Sequence, residues 1–94
     1  MKILDVTAQC NETGTADEYE NAMDRFSFFC GVEFEINGED YRAAARFDCG
    51  YAHDVAEWEN IDSTLLGVSD KQDDFINKCL LAAEKAMIKL KATL

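Results

Sequence analysis

Apolar and polar positions alternate with a period of two through FSFFCGVEFEI (26–36) and again through EDYRAAARFDC (39–49), on either side of Asn37-Gly38. Period-two patterning predicts strands, and Asn-Gly supplies the two positive-φ residues of a tight type I′ hairpin turn. With those two residues as the loop, Ile36 faces Glu39 and the register follows by counting outward. Phe34 then opposes Tyr41, Val32 opposes Ala43, Cys30 opposes Ala45 and Phe28 opposes Phe47, all on one face. The pairs on the other face are Glu35–Asp40, Glu33–Arg42, Gly31–Ala44 and Phe29–Arg46.

The same periodicity extends backwards. Met1–Cys10 places Leu4, Val6, Ala8 and Cys10 on one side and Ile3, Asp5, Thr7 and Gln9 on the other, which predicts a half-buried strand. NETGT (11–15) is rich in turn formers and predicts a break. Thr15-Ala16-Asp17-Glu18 fits a capping box, with Tyr19, Met23 and Phe26 at helical spacing behind it. A short helix over about Ala16–Asp24 is one expectation there, and an acidic loop is the other. Residues 51–66 suit a helix through Val55, Trp58, Ile61 or Asp62, and Leu65, or an edge strand with Ala56, Trp58 and Asn60 inward and Glu57 and Glu59 outward. The strand is favoured because it continues a meander from the hairpin.

From Ser69 the period changes to 3.6. Ser69-Asp70-Lys71-Gln72 reads as a capping box. Acids in the first turns and Lys85, Lys89 and Lys91 in the last complement the helix dipole. Phe75, Ile76, Cys79, Leu80, Ala83, Met87 and Leu90 form one apolar stripe. Ala43 and Ala45 are poor strand formers, but small side chains leave room for that helix to lie close. The whole of 1–94 is thus expected to be a single α+β domain. Its core is an antiparallel three- to four-stranded meander with a C-terminal helix on one face.

Charge narrows the function. The chain has 94 residues, with 19 Asp and Glu against 9 Lys and Arg, a formal net charge of −10. Residues 1–62 hold 15 acids and 4 bases, whereas residues 63–94 hold 4 acids and 5 bases. Such a field repels nucleic acid and anionic membranes and speeds encounter with basic partners. No apolar run is long enough to span a membrane, and MKILDVTAQ lacks the apolar core of a signal peptide, so a cytoplasmic location is expected. Three strands and a C-terminal helix are similar to the double-stranded-RNA-binding arrangement in topology. Phosphate contacts need clustered Lys and Arg, however, and the small basic helix end of Lys85, Lys89 and Lys91 reads more simply as a dipole-matched C-terminus.

Candidate chemistry is sparse. The four cysteines, Cys10, Cys30, Cys49 and Cys79, are widely spaced, and a structural zinc site normally shows two close ligand pairs. Cys10, Cys30 and Cys79 fall on predicted core faces and behave there as small apolar residues. Cys49-x-x-x-His53 is the nearest donor pair and the centre of a minor thiol- or metal-enzyme alternative. Nucleophilic catalysis needs a base beside the nucleophile, and no motif places one. The expectation is therefore no enzyme, no cofactor and no metal.

The acidic surface carries the main functional expectation. Glu33 and Glu35 lie about 6.6 Å apart on one strand face. Glu39 and Asp40 continue the charge at the turn, Glu57 and Glu59 add to it from the next segment, and Asp17, Glu18 and Glu20 from the preceding one. These residues are expected to dock onto a basic site of a partner protein, with no direct contact to nucleic acid or membrane. By size and charge, this is the class of phage anti-defence polyanion mimics and nuclease immunity proteins. The alternative is a homo-oligomeric structural or assembly module. Leu81 and Ile88, one heptad apart and outside the helix stripe, would then mark a homodimer interface.

Overall fold

The computed structural model describes residues 1–15, 24–49 and 55–94. Four antiparallel strands form one sheet in chain order: β1 (Lys2–Thr15), β2 (Asp24–Ile36), β3 (Glu39–Cys49) and β4 (Val55–Asn60). A 3-10 turn at Ser63–Leu65 follows, and α1 (Asp70–Lys91) packs on one face of the sheet.

The β2–β3 hairpin has the register counted from its turn, from Ile36 opposite Glu39 to Phe28 opposite Phe47. Asn37 and Gly38 take φ of 53° and 81°, the left-handed values that a type I′ turn requires. Phe28, Cys30, Val32, Phe34 and Ile36 of β2 are buried together with Ala43, Ala45 and Phe47 of β3. The Phe34 ring stacks on Tyr41 at 5.8 Å and meets Phe75 of α1 edge-on at 6.0 Å. That cross-strand aromatic pair beneath a helix ring ties the hairpin to the second layer.

β1 departs from the expected pattern at both ends. A register shift between Ile3 and Asp5 makes Leu4 an extra, exposed residue, so Ile3 comes opposite Phe34 rather than sharing a face with Asp5 and Thr7. NETGT is not a break. The strand absorbs Asn11 at a second shift and runs on to Thr15, pairing Glu12–Thr15 with Asp24–Ser27. Pairing with a long partner strand overrides the turn preference of Asn and Gly, because two β-branched threonines in the segment favour extension. Of the helix expected over Ala16–Asp24, residues 16–23 lie outside the described residues and Asp24 opens β2.

Residues 55–60 form the favoured edge strand. Trp58 comes opposite Ala45 and packs against the core, but Ala56, opposite Phe47, is exposed because α1 lies mainly across β1 and β2. Asn60 does not face inward as expected. A register shift makes Glu59 the extra residue and brings Asn60 opposite Ala44, on the far side of the sheet.

In α1 the Ser69 hydroxyl accepts from the Gln72 amide at 3.1 Å, as an N-cap should. The reciprocal half of the capping box is absent. Gln72 is itself buried and donates its Nε2 to the Leu65 carbonyl at 2.9 Å. Ile76, Cys79, Ala83 and Met87 are buried on the sheet side, with Phe75, Leu80 and Leu90 packed at the margins. Ala43 and Ala45 are buried too, yet the helix lies chiefly over β1 and β2 rather than over them. No described helix is long and apolar enough to cross a membrane.

Candidate functional site

Alternation sends every second side chain of the sheet away from α1, and among the described residues no element covers that face. Its charges fall into two patches. At the hairpin end, Glu33 comes opposite Asp5 on one side and Arg42 on the other, and Glu35 lies between Lys2 and Asp40. Arg42 Nη2 reaches Glu33 Oε1 at 2.9 Å, but both side chains are well exposed, so the pair contributes about 0–1 kcal/mol. Glu35 Oε1 accepts from the Gly38 amide at 3.1 Å. That bond gives a local reason for a carboxylate beside Asp40: it fixes the tight turn while remaining half-exposed.

The second patch is centred on Arg46, one guanidinium among three carboxylates. Arg46 Nη2 lies 2.9 Å from Glu57 Oε1, Nη1 lies 3.7 Å from Glu59 Oε2, and Nε lies 3.4 Å from Asp48 Oδ2. The last contact is ionic only, since Arg46 Nε is buried without a hydrogen bond. Asp48 also accepts from the Ser27 hydroxyl at 3.0 Å. One cation therefore fastens the short edge strand β4 to β3, and the patch keeps a negative excess.

Between the patches runs a row of small or short side chains, one from each strand: Thr7, Gly31, Ala44 and Asn60. With Arg42 and Ala43 they line a depression of about 450 Å³. A Cβ at position 31 would meet Thr7 Oγ1 at 2.9 Å, so glycine is what lets β1 and β2 carry this row at close approach.

The remaining candidates divide. Glu39, opposite Ile36, belongs to the helix side of the sheet, apart from Glu35 and Asp40. It accepts from the Tyr41 hydroxyl at 2.9 Å, and that carboxylate pushes the phenol's pKa up. Asp17, Glu18 and Glu20 lie outside the described residues. Leu81 and Ile88 are 55% and 53% exposed and point away from the core on the outer side of α1.

The chain matches no family model, no curated protein and no solved structure.

Cys30 and Cys79 are reduced thiols pushed up to about 11 by burial, so neither is a nucleophile near neutral pH. His53, the partner considered for Cys49, lies outside the described residues. Among the described residues no three His, Cys, Asp or Glu side chains are grouped to hold a metal.

Reading the sequence missed Arg46 as the organiser of the second patch. The hairpin register placed it opposite Phe29, but its engagement of Glu57 and Glu59 depends on how β4 pairs, which no turn signal fixes. The row through Gly31 and Ala44 was present in the register. Its continuation to Asn60 needed the shift at Glu59.

Proposed function

We propose that this chain is a small acidic binding protein, not an enzyme. Its open sheet face docks onto a basic site of a partner protein, as inhibitors that mimic polyanions do. The observation that carries this is a sheet face that no element among the described residues covers. Carboxylates stand on both sides of a shallow central depression, and Arg42 and Arg46 are too few to neutralise them. Glu33, Glu35, Asp40, Glu57 and Glu59 supply the contact charges, with Glu39 at the rim and Asp17, Glu18 and Glu20 as further acidic contributors from the intervening segment.

Carboxylates already held by arginines or by the turn amide are pre-ordered. A partner's lysine or arginine then meets them with less side-chain entropy to lose. Affinity capture from the source cells over a salt series tests the reading. A partner that reads this face is released as ionic strength rises, and it is not captured by a variant whose open-face carboxylates are amides. The exposure of Leu81 and Ile88 favours a second reading, in which the chain is an assembly module built through its helix.

A further inference from the structure

The most basic surface among the described residues lies on α1 of the same chain. Lys71, Lys78, Lys85 and Lys89 are spaced by seven, seven and four residues, which sets them on one flank of the helix, and all four are exposed. Leu81 and Ile88 project beside this row, in the direction opposite the core. The open sheet therefore carries an excess of carboxylates, whereas the outer helix carries four ammonium groups against Asp70 and Asp74 near its start, a small positive excess that is greatest around Lys85 and Lys89.

Their dimensions also correspond. Lys78 and Lys85 are separated by about 10.5 Å at about 1.5 Å rise per residue. The β3 rows of Arg42, beside Glu33, and Arg46, beside Glu57, are four residues apart, about 13 Å at about 3.3 Å per residue. Leu81 stands between the two lysines, and the depression at Thr7, Gly31, Ala44 and Asn60 stands between the two acidic patches.

We infer that the open sheet face receives α1 of a second copy of this chain, with Leu81 in the central depression, Lys78 over one acidic patch and Lys85 over the other. The inference rests on the docking role given to the sheet face and names its basic partner as a second copy.

Helix-to-helix pairing through Leu81 and Ile88 is less favourable by charge. An antiparallel two-fold pair sets the lysine flank of one copy against the same flank of the other. The sheet–helix contact instead joins two different surfaces, so it is head-to-tail and leaves one sheet and one helix free at the ends. It therefore propagates beyond a dimer unless a ring closes. Repulsion between copies of net charge −10 is long-ranged and is screened beyond about 8 Å at physiological salt, whereas the contacting groups lie well inside that distance.

Two complementary variants test this. K78E/K85E spoils the helix and leaves the sheet face intact, and E33K/E57K does the reverse. Sedimentation velocity at physiological salt should show wild type growing past a dimer with concentration, while each variant alone stays monomeric. An equimolar mixture of the two should associate, because the intact sheet of the first receives the intact helix of the second and the two reversed surfaces are also complementary in charge. Circular dichroism and melting confirm that both variants fold, and E33Q/E57Q replaces the second if lysine beside Arg46 unfolds β4. Wild type that is monomeric at every concentration, or variants whose mixture stays monomeric, overturns the inference. A monomeric wild type that still captures a basic protein through Glu33 and Glu57 overturns it and leaves the docking role standing.

Discussion

Gln72 Nε2 donates to the Leu65 carbonyl at 2.9 Å, and both residues are buried. This bond joins the first turn of α1 to the 3-10 turn that carries the chain out of the sheet. Leu65 belongs to the core, so its carbonyl has little access to water. Gln72→Met keeps most of the volume but leaves that carbonyl unpaired, at a cost of about 1–3 kcal/mol. Urea denaturation should show the midpoint falling with an unchanged slope. Ser69→Ala, which removes the N-cap oxygen, should cost about 1 kcal/mol. The two losses should not add fully, because both changes loosen the same turn.

That bond also marks where sequence reasoning stops. Ser-x-x-Gln is equally compatible with a glutamine that returns to the cap and one that reaches a preceding turn. Only the path of residues 61–68 decides between them. The hairpin was legible because Asn37-Gly38 fixes its register locally and every pair follows by counting. The two bulges in β1 and the one opposite Ala44 were not. A bulge costs little, leaves no composition signal, and is set by how much of the neighbouring strand remains to be paired. Those bulges determine which face carries Ile3 and Asn60. The acidic residues of the candidate face were thus readable one at a time, but their division into two patches around a depression was not.

Gly31 and Gly38 should respond differently to substitution. Gly38 has φ of 81° and nothing near its Cβ position, so Gly38→Val is strained by backbone conformation alone, at about 1–3 kcal/mol. No substitution elsewhere in the side-chain packing should rescue it. Gly31→Ala instead meets Thr7 Oγ1, so its cost should shrink when Thr7→Ala is added. A double-mutant cycle by thermal melting measures the difference. Equal costs for Gly31→Ala with and without Thr7 would show that the hydroxyl simply rotates away.

The buried thiols predict an alkaline limit to stability. Cys30 and Cys79 are raised from 9.0 to about 11 by burial, so the folded state holds their protons more tightly than the unfolded chain does. Stability that depends on the neutral thiols is complete below about pH 9 and is lost as pH rises through about 11. Urea midpoints measured from pH 8 to 11 should decline over that window. Cys79→Ala should flatten the decline, because one of the two linked groups is gone. A thiol-specific reagent should label neither Cys30 nor Cys79 at neutral pH without denaturant.

Net charge and local charge can be separated for the proposed docking face. Glu33→Gln with Glu57→Gln removes two carboxylates from the open sheet, while Arg46 keeps Asp48 and Glu59 as ionic neighbours. Asp70→Asn with Asp74→Asn removes two from α1, so both double variants carry the same total charge. If a partner reads only the overall acidic field, association rates for the two should fall alike. If it reads the face, the sheet variant should associate roughly three- to tenfold more slowly and the helix variant should stay near wild type. Biosensor kinetics with the partner captured from the source cells, run at low and physiological salt, measure this directly. Melting curves must first show both variants folded, since losing Asp70 from the first turn weakens the dipole interaction by about 0.3–1 kcal/mol. Rising salt should slow association of wild type far more than it speeds dissociation, because steering acts before contact. Equal sensitivity of the two variants would reduce the acidic excess to a property of the whole molecule. The helix surface around Leu81 and Ile88 would then be the place to seek the partner.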